Sequence, residues 1–175
     1  MKKSGVLLTI ISMLGLLLQS CNNKYKFYWV PSEAMLPTVQ VKDKLLVDTS
    51  SYYSQAPQRY DLVLFSPTEQ LKKEQYTDPF IKRVVGLPGE KIEIKDGKIY
   101  INNQPIQENY ILNGQKTLVD ICPLEYTPYL SKPVIIPSNS YFMLGDNREK
   151  SYDSRCWGIV PKSNLIGKVV KILKY

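Results

Sequence analysis

Lys82 is the residue with the clearest chemical potential. It lies in the stretch FIKRVVGLPGEKIEI, from Phe80 to Ile94, among Ile81, Val84 and Val85, and a Pro88-Gly89 turn separates this run from the alternating Ile92 and Ile94. A lysine held among β-branched residues loses hydration of its ammonium. Its pKa falls, and a neutral amine becomes available as a base near neutral pH. An arbitrary strand lysine points outward, so the expectation of half burial rests on the company Lys82 keeps. The chain contains no histidine. That removes Ser-His-Asp and Cys-His catalysis, imidazole bases and the usual zinc sites. Nucleophilic catalysis would need another base, and serine-lysine pairs supply one. No metal or nucleotide site is legible, and no cofactor is expected.

Two further stretches could meet Lys82 in space. The first is Pro31-Ser32-Glu33-Ala34-Met35-Leu36-Pro37-Thr38, whose two prolines fix a bent loop able to hold small side chains and backbone N–H groups in place. The second runs GDNREKSYDSRCWG from Gly145 to Gly158, opening on a Gly-Asp-Asn turn and crowding charged groups between apolar segments. A purely solvated loop would leave Trp157 unexplained, whereas a tryptophan between two turns anchors such a loop to a core.

Short strands must position these groups. Apolar alternation predicts strands at Lys44 to Val47, Asp61 to Phe65, Ile81 to Val85, Lys91 to Ile94, Lys98 to Ile101, Val134 to Ile136, Tyr141 to Leu144 and Lys168 to Leu173. Asp96-Gly97 between two alternating runs is a strong hairpin signal, and Asn102-Asn103 marks a second turn. Twelve prolines argue against long helices. The expectation is one mainly-β domain over residues 30–175, with a long insertion of weak periodicity at about 109–132.

Ahead of that domain, Lys2 and Lys3 precede an apolar segment from Gly5 to Leu18. It is short for a bilayer span but suits the apolar part of an export signal. Leu18-Gln19-Ser20-Cys21 resembles the lipobox of bacterial lipoproteins, in which the cysteine is lipidated. A lipid anchor at Cys21, an uncleaved membrane anchor and a cleaved signal all remain open; each exports the domain, and the first two keep it at a membrane. Residues 22–29 form a juxtamembrane segment, in which Lys24 and Lys26 would meet anionic headgroups and Tyr25, Phe27, Tyr28 and Trp29 either sit at the interface or form a first strand. The net charge of +7 is spread without a basic run, which favours membrane lipid over nucleic acid as a partner. Cys122 and Cys156 then remain, as a disulfide pair or with Cys156 as a small buried residue before Trp157.

These stretches resemble the signature boxes of type I signal peptidases, in family order from about Val30 to Gly167. PSEAMLPT is similar to the nucleophile box, DLVLF (Asp61 to Phe65) to the next, IKRVVGLPGEKIEI to the lysine box and GDNREKSYDSRCWGIVP to the last. The resemblance implies a mainly-β, membrane-facing serine endopeptidase that removes signal peptides from exported preproteins, on the periplasmic or extracellular side. It implies that Lys82 is the general base, that Ser32 and the backbone N–H of Ala34 line the oxyanion hole, and that Ser151 hydrogen-bonds and orients the lysine. Asp153 and Arg155 would form a buried ion pair, and Met35 and Pro37 would shape the turn after the nucleophile.

One position departs from the pattern. The family's nucleophilic serine precedes the Met of the first box, and here that residue is Ala34. Loss of such a nucleophile costs on the order of 10⁶ in turnover. Three accounts are open: a catalytically silent relative that binds signal peptides or a partner peptidase, a displaced nucleophile at Ser32, or an alanine introduced in place of the serine. Glu33 is a second departure, since a carboxylate there would raise the pKa of a nearby lysine. A self-cleaving repressor-type peptidase also pairs serine with lysine, but it would be cytosolic with a DNA-binding N-terminal domain. A lipoprotein serving purely as a binding module is the alternative from outside enzymology.

Overall fold

The computed structural model describes residues 24–125 and 127–175. The segment expected to direct export, and Cys21, lie outside the described residues. Among these, eleven strands form two antiparallel sheets: β1 (Tyr25–Trp29), β2 (Lys44–Asp48), β3 (Leu62–Phe65), β4 (Phe80–Gly86), β5 (Lys91–Lys95), β6 (Lys98–Ile101), β7 (Gln104–Pro105), β8 (Val134–Ile135), β9 (Ser140–Leu144), β10 (Val160–Pro161) and β11 (Leu165–Leu173). The larger sheet runs β1-β2-β11-β3-β4-β9-β10 and the smaller β7-β6-β5-β8.

Turn chemistry builds the smaller sheet. Asp96 and Gly97 take φ of 51° and 75°, and Asn102 and Asn103 take 50° and 66°. Paired left-handed residues twist a two-residue loop in the same sense as its flanking strands, so β5-β6 and β6-β7 close tightly.

Strand β4 touches all three apolar clusters of the core. Val84 belongs with Val63, Phe65, Met143 and Trp157, and Phe80 packs against the same cluster. Val85 belongs with Ile92, Ile99, Phe142 and Leu144. Ile81 packs against Val30, Met35, Val39 and Leu45. Successive side chains of a strand point to opposite faces, which is how one strand serves separate clusters. Each fully buried valine contributes about 1.5–3 kcal/mol.

The aromatic segment Tyr25–Trp29 forms β1, an edge strand paired with β2. Only Tyr28 packs on the core. Tyr25, Phe27 and Trp29 are each more than half exposed, and the Lys44 ammonium sits over the Phe27 and Trp29 rings at 4.4 and 5.2 Å. Strands β7 and β10 carry no alternation, being two residues long and each containing a proline. The described α-helices, Ser51–Ser54, Glu69–Lys73 and Ser154–Trp157, are four or five residues long. Among the described residues no helix is long and apolar enough to cross a membrane.

The described part of the insertion holds no strand or helix. It is fastened at several points: Thr117 N–H donates to Gly97 O at 2.8 Å, Leu130 N–H donates to Arg155 O at 3.1 Å, and Cys122 is disulfide-bonded to Cys156 with a Cα–Cα distance of 5.3 Å.

Candidate active site

Lys82 sits opposite Val63 in the β3-β4 register and shares its face with Phe80 and Val84. It is only 3% exposed, so burial is complete rather than half. Among the described residues no hydrogen bond or ion pair reaches its ammonium; the Phe80 ring lies 5.8 Å away. Burial pushes its pKa down, the Asp153 carboxylate pulls it back and the Arg155 guanidinium opposes that pull, leaving it at about 8. A lysine in this state exchanges its proton near neutral pH.

The loop between β1 and β2 presents residue 34. It is closed at its base by Val30 N–H to Asp43 O at 3.0 Å and Lys42 N–H to Val30 O at 2.9 Å. Within it Val39 N–H donates to Met35 O at 2.9 Å, and Met35 is buried in the cluster under Ile81. The Leu36-Pro37 peptide bond is cis. Ala34 is buried, whereas Ser32 and Glu33 are exposed. The Glu33 carboxylate turns to Lys150 at 2.7 Å. The charges bearing on Lys82 are those of Asp153, Arg155 and Asp146, which corrects the expectation that Glu33 would raise the lysine: the Glu33 carboxylate is paired with the exposed Lys150 ammonium instead.

The segment after β9 closes the site from the other side. Asp153 accepts from Gly145 N–H at 3.1 Å and from Arg155 Nε and Nη2 at 2.8 and 2.9 Å. It also caps the helix Ser154–Trp157, accepting from Arg155 N–H. Both side chains are fully buried. Burial raises the Asp153 pKa, but the Arg155 guanidinium, with the Lys82 charge and the Gly145 N–H, outweighs it and the net shift is downward. Asp153 therefore stays ionised. Trp157 packs against Phe65 with ring centroids 5.8 Å apart, which anchors the segment to the core.

Ser151 departs from the expected contact. Its Oγ is buried with no hydrogen-bond partner, so the bond to Lys82 that the resemblance implies is not formed. Gly145 lies against this side chain: a Cβ there would fall 2.0 Å from Ser151 Oγ and 2.5 Å from Ala34 O. Ser151 and the Ala34 carbonyl thus converge on one glycine.

Several residues of the site escaped sequence reasoning. Arg83, the neighbour of Lys82 on the opposite face, pairs through two nitrogens with Asp146 at 2.8 and 2.5 Å, and Thr38 Oγ1 donates to the same carboxylate. Three of the four signature stretches are thereby tied by one network. Arg148 is likewise buried, held by Glu108 and by Thr117 Oγ1 at 2.6 Å. Asn147 reaches back to the first loop, its N–H donating to Ala34 O at 3.1 Å and its Nδ2 to Glu33 O at 3.2 Å. A run of Asp146, Asn147 and Arg148 after a glycine was the available signal. Nothing in the sequence singled out Glu108.

A family model described as signal peptidase, peptidase S26, matches residues 3–174. A signal peptidase I of Leptolyngbya laminosa is 43% identical over 144 residues, covering 81% of this chain and 65% of that protein. Signal peptidase I V of Bacillus subtilis is 32% identical over 175 residues, covering 97% of this chain and 98% of that protein. The chain spans less than two thirds of the Leptolyngbya protein and 59% of a Synechocystis relative that is 39% identical. A crystal structure of a signal peptidase I from Enterococcus faecalis aligns with a TM-score of 0.50 and 27% identity, covering 66% of this chain and 98% of that one. The chain belongs to the signal peptidase family, peptidase S26.

Proposed function

We propose that this chain sits at a membrane on the exported side, binds signal peptides of preproteins as extended segments, and carries a peptidase site that lacks only its nucleophile. In this reading Lys82 is the general base, Ser32 and the Ala34 N–H are the oxyanion donors, and the buried Asp153–Arg155 pair sets the charge around the lysine. The anchor is either lipid at Cys21 or a membrane-embedded N-terminal segment.

One observation carries the reading: a buried lysine without a contacting counter-charge, near pKa 8, in a site whose residue 34 offers only a methyl group. A buried, unpaired amine destabilises a fold, and its retention fits a use for the neutral base. With a serine at 34, Lys82 would take the hydroxyl proton as Oγ adds to the scissile carbonyl, then return it to the leaving amine, and water would release the acyl group. With alanine, substrate binding remains and cleavage does not.

The displaced-nucleophile reading is weaker. Ser32 is exposed while Lys82 is buried, and two residues of extended chain span roughly 6–7 Å.

The test compares cleavage of a fluorogenic signal-sequence peptide by the full chain in detergent and by its Ala34→Ser variant. Binding without cleavage by the first, and cleavage by the second, is the expected outcome. Cleavage by the unaltered chain overturns the silent reading and turns attention to Ser32→Ala. Binding without cleavage by both favours a pure binding module.

A further inference from the structure

We propose that Gln115, in the insertion, is a positioning residue for the backbone at 33–34, acting through Asn147. The proposal rests on the reading of this loop as the peptidase site.

Both ends of the Gln115 carboxamide are engaged. Its Nε2 donates to Asn147 Oδ1 at 3.0 Å, and its Oε1 accepts from Arg148 N–H at 3.0 Å. Because Asn147 Oδ1 is taken by Gln115, the Asn147 Nδ2 faces the other way, where it donates to Glu33 O at 3.2 Å. Asn147 N–H meanwhile donates to Ala34 O at 3.1 Å. The Glu33 carbonyl and the Ala34 N–H belong to one planar peptide unit, so a donor fixed on Glu33 O also fixes the direction of the Ala34 N–H. That N–H is the backbone oxyanion donor of the proposed site.

The anchor for this relay is itself held. Gln115 N–H donates to Leu112 O at 3.1 Å, and Thr117, two residues on, is bonded to Gly97 O and to Arg148. Without Gln115 the Asn147 carboxamide loses the bond that fixes its oxygen, and the Nδ2–Glu33 O contact alone is left to hold its orientation. The peptide unit at 33–34 then loses its fixed orientation.

Removing an oxyanion donor outright costs about 10²–10³ in kcat, so a misdirected one should cost about ten- to a hundredfold with KM nearly unchanged. The test uses the full chain in detergent with Ala34→Ser as parent, adding Gln115→Ala or Gln115→Glu. Glutamate still accepts from Arg148 N–H but cannot donate to Asn147. Both variants should lose kcat alike. A Gln115→Glu protein with parental kcat would mean that Gln115 merely fastens the insertion, and overturns the proposal.

A second arm is independent of cleavage. In the unaltered chain, Gln115→Ala should speed hydrogen exchange at the Asn147 amide as well as at the directly bonded Arg148 amide. Unchanged exchange at Asn147 sinks the positioning role. If the Ala34→Ser parent does not cleave, the function reading has failed, and this exchange result still decides whether Gln115 holds the loop.

Discussion

Gly145 stands between Ser151 and Ala34: a side-chain carbon on it would lie 2.0 Å from the Ser151 hydroxyl oxygen and 2.5 Å from the Ala34 carbonyl oxygen. Real carbon atoms do not approach backbone so closely. The absent side chain is what lets the first loop and the last segment share one wall of the site. Gly145→Ala should therefore push Ala34 O away from Asn147 N–H and displace Ser151, costing about 1–3 kcal/mol as overpacking usually does. Urea unfolding gives the measurement. A midpoint equal to the parent's would mean that the loops separate without cost.

The Lys82 amine sets a pH profile. Only the neutral amine accepts a proton, and the group loses its own proton at about 8. In the Ala34→Ser chain kcat/KM should rise tenfold per pH unit below pH 8 and level off above it, and Lys82→Met should lower it by about 10²–10⁴. A flat profile from pH 6 to 9 would assign the base elsewhere.

The same burial has a cost in stability. The folded pKa of Lys82, about 8, lies below its ordinary 10.5. Between those values the unfolded chain holds a proton that the folded chain has released, so stability rises with pH across this window. Below pH 8 the destabilisation is fully present, up to roughly 3 kcal/mol. Lys82→Met in the unaltered chain should accordingly raise the unfolding free energy at pH 7, with the gain fading as pH climbs from 8 toward 10.5. Asp153 keeps Arg155 as its partner in that variant. A loss of stability at pH 7 would show that the lysine is held by favourable contacts.

Much of this was readable in advance, for physical reasons that differ by region. The strands β4, β5 and β6 alternate and are bounded by turn residues with a steric preference, so the frame around Lys82 followed from local rules. Burial of Lys82 was legible from its β-branched neighbours, but the charges that act on the buried amine, those of Asp153, Arg155 and Asp146, come from a segment more than 60 residues on, which no local pattern encodes. The pairing of Arg83 with Asp146 spans 63 residues, and no local pattern encodes it. The unpartnered Ser151 hydroxyl was illegible because a hydrogen-bond partner is set by tertiary placement, not by residue type. Gln115 sits in an insertion with no periodicity, where residue type alone assigns no role.

The disulfide is separable from the relay that passes through Gln115. Cys122 and Cys156 are 34 residues apart, and closing a loop of that length stabilises a fold by about 3–4 kcal/mol through the unfolded chain. Tryptic peptides containing Cys122 and Cys156 should resist alkylation until a reductant is added; labelling of both thiols in the untreated protein would rule the bridge out. Replacing both cysteines by alanine should lower the unfolding free energy by about that amount. The insertion would nevertheless stay docked, since Arg155 Nη1 donates to Leu118 O at 2.9 Å and Tyr129 and Leu130 N–H groups donate to Cys156 O and Arg155 O at 3.3 and 3.1 Å. Leu118 lies between Gln115 and Cys122, so the contact at Leu118 shields the relay from the loss of the bridge. Hydrogen exchange at Asn147 should then be the same with the disulfide intact or absent, under conditions where both proteins are folded. Faster exchange in the cysteine-free chain would show instead that the bridge holds Gln115 in place, and would couple the redox state of the protein to the geometry at residue 34.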